Sequence, residues 1–184
     1  MTQGGGEGLV VLGLDPGSRR TGWGLVREAS GKLSLVAAGV VSTDSKTDLC
    51  IRLGRIFEGV AGLIREHKPT EAAVENVFVS QNVMSALKLG QARGAAIAAC
   101  AHMGLEVSSY EPSLVKKSLV GAGRAEKEQV AYMVGRLLNA QLDHLGLDAT
   151  DALAVAICHL NQRRLDRLAR LARQVRAASA GSTP

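Results

Sequence analysis

The stretch LVVLGLDPGSRRTG, residues 9–22, decides the fold of this 184-residue chain. It begins with an apolar run rich in β-branched residues, which is typical of a buried strand. Pro16 lacks a backbone N–H and Gly17 favours a turn, so the strand is predicted to end at Asp15. One carboxylate is therefore expected at the carboxyl end of a strand, where open α/β sheets commonly bind ligands.

The apolar runs that follow predict an α/β fold. Strands are expected at 9–15, 22–28, 33–43, 70–75 and 105–110, with the first three forming an antiparallel meander. Helices are expected from Asp44-Ser45 to His67, from about Ser80 to Met103, near 113–119 and 125–139, and from Asp148 onward. This order indicates a five-stranded mixed sheet flanked by helices, with several strands ending along one edge.

Length and composition indicate one domain with two distinct ends. The chain has 46% hydrophobic residues, and we assign residues 1–8 to a glycine-rich flexible leader and 9–162 to the folded domain. Residues 163–184 form a basic tail of six arginines and one aspartate, which accounts for the net charge of +5, since the rest of the chain is balanced. Its arginines either extend the last helix and contact DNA non-specifically, or keep a solvated end soluble. No site is assigned to it.

Cysteines and histidines give no sign of a zinc site. Cys50, Cys100 and Cys158 are far apart, which indicates reduced, buried thiols. The four histidines are expected at helix ends or on the surface. No apolar stretch approaches the roughly 20 residues of a membrane span, and the N-terminus lacks the features of a secretion signal. We expect a cytoplasmic protein.

Acidic residues recur where predicted elements meet. Glu75 ends the apolar run 72–74, as Asp15 ends the first strand, while Asp148 and Asp151 precede an apolar helical stretch. For the last two, ordinary helix capping worth about 0.5–2 kcal/mol is an alternative. Four clustered acids would repel one another unless divalent cations bind them, and an oxygen-only ligand set favours Mg²⁺ or Mn²⁺.

Two such ions, about 3.5–4 Å apart, activate a water and stabilise the leaving oxygen in phosphodiester hydrolysis. We expect two Mg²⁺ ions per site, with Mn²⁺ as a substitute. Asp15 is expected to bridge them, because it ends the central strand, and Glu75 to bind one of them.

Four blocks carry a family resemblance: LGLDPGS (12–18), ENVF (75–78), SALKLGQARG (85–94) and DATDALA (148–154). Together they resemble the RuvC family of crossover-junction endodeoxyribonucleases, over about residues 9–160. The resemblance implies an RNase H-like fold and a homodimer that resolves Holliday junctions with the RuvA–RuvB branch-migration complex as partner. It implies symmetric nicks that leave 5′-phosphate and 3′-hydroxyl ends, in recombination and repair. The family's acidic tetrad falls on Asp15, Glu75, Asp148 and Asp151.

The resemblance also implies DNA contacts. Phe78 would stack on a base near the crossover, an interaction worth about 1–3 kcal/mol, although packing in the core is the alternative. Lys116 and Lys127 match basic positions that the family places against phosphate. The turn after Asp15 is expected to meet the DNA backbone through Ser18, Arg19 and Arg20.

Small residues recur every four positions in the second predicted helix, at Ala86, Gly90, Gly94 and Ala98. Such a stripe lets another backbone approach closely. Two interpretations stay open: contact with the protein's own sheet, or a helix pair between two subunits.

Three other functions compete with junction cleavage. Sugar kinases and actin-like ATPases also place Asp-x-Gly after a first strand, but they use two such domains, and this chain has one such motif. Another RNase H-like nuclease would act on RNA or other DNA, and the block 85–94 argues against it. A non-catalytic DNA-binding module would have an incomplete set of acids.

Overall fold

The computed structural model describes residues 8–76 and 82–180, which form five strands and five helices. The strands are β1 (Leu9–Asp15), β2 (Arg20–Ala29), β3 (Lys32–Ser42), β4 (Glu71–Glu75) and β5 (Val107–Tyr110). The helices are α1 (Leu49–His67), α2 (Val83–His102), α3 (Pro112–Val120), α4 (Lys127–Leu138) and α5 (Leu147–Ala180).

The strands form one sheet in the order β3-β2-β1-β4-β5. Strand β1 pairs antiparallel with β2 and parallel with β4, and β5 runs parallel to β4. The predicted five-stranded mixed sheet with flanking helices is confirmed. Because β1 and β4 are parallel neighbours, their carboxyl ends lie side by side at one edge of the sheet.

Each face of the sheet carries its own hydrophobic core. Alternate residues of a strand point to opposite faces. Leu12 and Leu14 accordingly pack toward Ile56 of α1 and the alanines of α2. Val11 lies on the other face in the core that includes Leu153 and Ile157 of α5. The central strand is thus covered on both sides, which makes it a rigid support for the acid at its end.

Three glycines let α5 lie directly on the sheet. A Cβ atom on Gly13 would overlap the backbone carbonyl oxygen of Ala152, and one on Gly22 would overlap that of Asp148. A Cβ on Gly24 would come within 2.7 Å of the Leu153 side chain. Gly22 is also the register partner of Asp15, so this close approach brings the start of α5 next to the end of β1.

Two predicted helix starts were wrong. Helix α1 begins at Leu49 rather than at Asp44, because the Asp44 carboxylate accepts a hydrogen bond from the Lys46 N–H at 2.9 Å and closes a turn instead. Helix α5 begins at Leu147, which places Asp148 inside the first turn and makes the Gly146 carbonyl the first acceptor. Ordinary N-capping by Asp148 is therefore not what this residue does.

Helix α5 continues without a break across residue 162, so the boundary between domain and tail stays a prediction. The predicted leader lies almost entirely outside the described residues, which begin at Gly8. Within the described ranges, no helix is both long and apolar enough to cross a membrane.

The predictions for cysteine and histidine hold in part. Cys100 and Cys158 are buried, and burial raises the pKa of the Cys100 thiol to about 11, but Cys50 is exposed. His159 is buried, contrary to expectation. It lies between the Tyr110 hydroxyl, 2.8 Å from its Nδ1, and a Glu71 carboxylate oxygen, 2.7 Å from its Nε2.

Candidate active site

Asp15 and Glu75 lie together at the carboxyl ends of β1 and β4. Their preceding residues, Leu14 and Val74, are register partners, and both acids are half-buried. The two carboxyl groups are close enough for each to affect the pKa of the other. The prediction that these two strands deliver acids to one edge agrees with this geometry.

The electrostatics of this pair show how tightly the acids are coupled. Burial raises the pKa of Asp15 from 3.8 to about 6, with further contributions from the negative charges of Asp151 and Asp148. Burial likewise raises the pKa of Glu75 from 4.5 to about 7, with Asp15 and Asp151 adding to the effect. Asp151 therefore raises the pKa of both Asp15 and Glu75, and Asp148 raises that of Asp15.

The start of α5 supplies the other two acids, Asp148 in the first turn and Asp151 three residues later, and each is paired with a cation. Arg20 Nε lies 2.6 Å from Asp148 Oδ2, and Lys127 Nζ lies 3.2 Å from Asp151 Oδ2. The positive end of the helix dipole also favours negative charge at this turn. Asp148 and Asp151 are three residues apart and share a face of the helix.

The tetrad suits a hard divalent cation by its chemistry, since it offers only carboxylate oxygens at a half-buried edge. Burial and then the neighbouring acids raise the pKa values of Asp15 and Glu75, so the ionised forms of both would be stabilised by a bound cation. Among residues 8–76 and 82–180, however, no three His, Cys, Asp or Glu side chains already have the spacing of a metal site. Asp148 and Asp151 would have to exchange their ion pairs with Arg20 and Lys127 for metal ligation.

Lys116 and Lys127 both lie near the tetrad. Each lowers the pKa of Glu75 through its positive charge, which places both within electrostatic reach of that carboxyl group. Lys127 is the first residue of α4, and its own pKa is raised mainly by Asp151. Lys127 thus contacts an acid of the tetrad directly, whereas Lys116 acts on Glu75 through its charge.

Arg52 of α1 holds the turn after Asp15 in place through hydrogen bonds. This arginine is only 7% exposed, and its guanidinium donates hydrogen bonds to the Ser18 carbonyl and, at 3.3 Å, to Thr43 Oγ1. The Thr43 N–H donates to the Arg19 carbonyl at 2.8 Å. Ser18 is half-buried and the Arg19 side chain is exposed, whereas Phe78 lies outside the described residues. Sequence reasoning missed Arg52, because a helical arginine is normally on the surface.

Arg93 on α2 is a second residue that sequence reasoning missed. It donates hydrogen bonds to the Glu75 carbonyl at 3.1 Å, to Asn76 Oδ1 at 2.7 Å and to Ser109 Oγ at 2.7 Å. Asn76 in turn donates to Glu111 Oε1 at 2.8 Å. Arg93 therefore joins α2 to the ends of β4 and β5 through the backbone of Glu75 and the side chains of Asn76 and Ser109. The sequence signal that could have identified Arg93 is that it is a single arginine on a helix face of otherwise small and apolar residues.

The small-residue stripe of α2 faces away from the sheet. Gly90, Gly94 and Ala98 are exposed, and a Cβ on either glycine would meet no atom within 4 Å. The sheet side of α2 is formed instead by buried residues such as Ala92 and Ala96. The interpretation as a contact with the protein's own sheet is therefore wrong. Val83, Met84 and Leu87 extend this exposed apolar surface.

Comparison with known proteins gives consistent results. Residues 11–159 match the family model described as crossover junction endodeoxyribonuclease RuvC. A protein of that name from Solidesulfovibrio magneticus is 65% identical over 163 residues, which are 89% of this chain and 95% of that protein.

Two solved structures are also similar to this chain. The Thermus thermophilus RuvC structure has a TM-score of 0.78 at 34% identity, covering 86% of this chain and 97% of that one. The structure of T. thermophilus RuvC in complex with Holliday junction substrate has a TM-score of 0.76, also at 34% identity, covering 85% and 96%. These similarities confirm the expected RNase H-like fold.

Proposed function

Because the chain belongs to the RuvC family of crossover junction endodeoxyribonucleases, we propose that it resolves Holliday junctions by cutting two opposite strands. Each cut is a metal-dependent phosphodiester hydrolysis that leaves a 5′-phosphate and a 3′-hydroxyl end. The cleaved products can then be sealed by a ligase, which suits a role in homologous recombination and DNA repair.

The observation that carries this proposal is the pairing of β1 with β4, which places Asp15 and Glu75 side by side, with Asp148 and Asp151 near enough to raise the pKa of Asp15. We propose the four acids as the metal ligands, with Asp15 shared between two sites and Glu75 contributing to one. Mg²⁺ is the proposed ion and Mn²⁺ a substitute, since carboxylate oxygens suit both. When bound, such ions would activate a water and neutralise charge on the phosphate.

The basic residues around the tetrad are proposed to bind DNA. Lys116 and Lys127 stand close enough to the acids to hold the phosphates that flank the cut. Arg19 is exposed in the turn after β1, where Arg52 fixes the backbone, and Ser18 lies beside it. Stacking of Phe78 on a junction base stays a prediction. These assignments separate binding of the backbone from the chemistry at the acids.

We further propose a homodimer that is formed through α2. The junction has twofold symmetry, and two cuts on opposite strands call for two sites in matching orientation. The exposed stripe with Gly90 and Gly94 supports this choice, because it lets two helices approach closely. A cytoplasmic location and cooperation with the RuvA–RuvB branch-migration complex follow from the family resemblance and belong to the same proposal.

The decisive experiment incubates the protein with a synthetic four-way junction, with and without Mg²⁺, and maps the nicks on all four strands. We expect paired nicks at symmetric positions that require the metal. Asp15→Asn should abolish cutting while junction binding persists, because it removes one ligand oxygen and one negative charge. Linear duplex, an RNA–DNA hybrid and ATP serve as alternative substrates, and preferential turnover of any of them would contradict the proposal.

A further inference from the structure

We propose that the last part of α5 forms a second DNA-binding site, for duplex DNA of any sequence, at the edge of the sheet opposite the acidic tetrad. We call this site the arginine stripe, and it consists of Arg164, Arg167, Arg170 and Arg173. All four side chains are exposed on a helix that continues to Ala180. The proposal concerns surface that the junction-cutting site does not use.

The stripe arises from a three-residue repeat that is visible in the sequence. Residues 164–173 read RLDRLARLAR, so that an arginine recurs at every third position and a leucine follows each of the first three. On a helix with a rise of about 1.5 Å per residue, the four arginines extend over about 13.5 Å. Each three-residue step also displaces the arginine by about 60° around the helix, so that Arg164 and Arg173 lie on opposite sides of it. At most about three neighbouring arginines, such as Arg167, Arg170 and Arg173, can therefore face the phosphates of one duplex.

A partly buried polar network anchors α5 to β4 just before the stripe begins. Arg163 forms an ion pair with Glu71, the first residue of β4. The other carboxylate oxygen of Glu71 contacts His159, which also contacts Tyr110. Glu71 lies at the opposite end of β4 from Glu75, so α5 passes the length of β4 before the stripe starts. The helix rise separates Asp151 from Arg164 by about 20 Å and from Arg173 by about 33 Å.

Charge favours a polyanion as the occupant of the stripe. Asp166 is the one acid among residues 160–184, against six arginines. Arg164 also lines a depression with Lys32 of the β2–β3 hairpin, where Glu28 offsets one of the two positive charges. A second copy of this chain would bring equal positive charge and be repelled. Duplex DNA is the polyanion that a junction endonuclease meets at high local concentration.

Because the two sites lie at opposite ends of α5, they can be occupied at the same time. The stripe would then hold the enzyme on a duplex by phosphate contacts, while the tetrad stays available for a junction. Such binding is sequence-independent and strongly dependent on salt, with a slope of about 0.9 in log K against log salt for each phosphate contact.

The test uses the full chain with Arg167→Gln/Arg170→Gln/Arg173→Gln. Glutamine is a good helix former, so circular dichroism should show unchanged helix content. The matched control is Arg55→Gln/Arg65→Gln/Lys68→Gln, which removes three exposed positive charges near α1. A third variant replaces the same three stripe arginines with lysine and retains their charge. Binding of a labelled linear duplex is measured over a salt series, alone and with protein saturated by unlabelled junction in Ca²⁺.

We expect the glutamine variant to lose about two to three units of salt slope. It should also lose duplex binding to the junction-saturated protein, while the control and lysine variants keep both. Nicking of a junction at low salt should be unchanged in all three. An unchanged slope, an equal loss in the control, or binding to anionic lipid vesicles in place of duplex would overturn the second site. Wild-type protein that binds duplex through the stripe but cuts no junction would contradict the proposed function instead.

Discussion

Arg20 Nε lies 2.6 Å from Asp148 Oδ2, so one acid of the tetrad is already paired with a cation of the protein itself. The side chains are 56% and 37% exposed, which makes this a solvent-screened ion pair. Arg20 also begins β2, the strand against which the start of α5 packs at Gly22. The guanidinium group and a metal ion would compete for the same carboxylate.

Replacing Arg20 with Ala should therefore strengthen binding of a divalent cation. An exposed ion pair contributes about 0.2–1 kcal/mol, so the dissociation constant for Ca²⁺ or Mg²⁺ should fall by at most about fivefold. Isothermal titration calorimetry without DNA measures this directly, with Arg19→Ala as the control. Weaker metal binding in the Arg20 variant would show that the guanidinium orients Asp148 for the metal rather than competing with it.

The raised pKa values of Asp15 and Glu75 predict how stability depends on pH. Between their ordinary values of 3.8 and 4.5 and their folded values of about 6 and 7, the folded protein binds more protons than the unfolded chain. The free energy of unfolding should therefore fall as pH rises from about 4 to about 7, and this contribution should be constant above that range. Denaturant unfolding without divalent ions, at a series of pH values, measures the slope.

Mg²⁺ should reverse this loss, because it binds the ionised acids of the folded state. The increase in melting temperature on adding Mg²⁺ should be larger at pH 8 than at pH 5. The Asp15→Asn/Glu75→Gln variant provides the comparison, and its stability should show a shallower dependence on pH in this range. A wild-type protein whose stability rises through this range would contradict the assigned environment of the two acids.

Arg93→Ala should destabilise the end of β4 that carries Glu75, and it should therefore also impair cleavage. Three acceptors lose their donor, which should lower the free energy of unfolding by about 1–3 kcal/mol. Displacement of Glu75 should also weaken Mn²⁺ binding, measured by electron paramagnetic resonance at a temperature where the variant is folded. Lys88→Ala, an exposed change on the same helix, should leave both quantities unaltered. Normal Mn²⁺ affinity in a destabilised Arg93 variant would restrict this residue to a structural role.

Gly22→Ala should separate α5 from the sheet. The added methyl group overlaps the Asp148 carbonyl oxygen, and overpacking of this kind costs about 1–3 kcal/mol. Gly54→Ala on α1 is the matched control, because its Cβ meets open space. That change should stabilise the protein by about 0.5–1 kcal/mol, since alanine is the better helix former. Chemical denaturation measures the free energy of unfolding of both variants. Equal changes in the two variants would contradict the close contact at Gly22.

Gly90→Arg should convert the proposed dimer to monomers. A twofold interface places the substitution in both subunits at once, so that two bulky cations meet across the helix pair. Sedimentation velocity should show the monomer, and paired cutting of the junction should be lost. Gly54→Arg also adds arginine at an open glycine, but on α1, and should leave the dimer intact. If the Gly90 variant sediments like the wild type, the dimer interface is not formed by this face of α2.

Local sequence signals were sufficient for the strands and for the acids at their ends. A run of apolar residues followed by Asp-Pro-Gly fixes the end of β1 without reference to the rest of the chain. The partners of Arg20 and Arg93 could not be predicted in this way, because each depends on how closely a helix approaches the sheet. His159 was misplaced for the same reason, since its burial depends on Glu71, 88 positions earlier in the chain. The helix start predicted at Asp44 was wrong because an aspartate closes a turn as readily as it caps a helix.

The contact of α5 with the sheet at Gly13 and Gly22 has a consequence for how this family can vary. The backbone of α5 contacts the backbone of the sheet there, so the distance between the backbones of Asp15 and Asp148 does not depend on the conformation of any intervening side chain. Substitutions can accumulate in both hydrophobic layers, and the separation of the two carboxyl-bearing backbones should hardly change. The hydrophobic core can then accept substitutions without moving the catalytic acids, as long as positions 13 and 22 remain glycine.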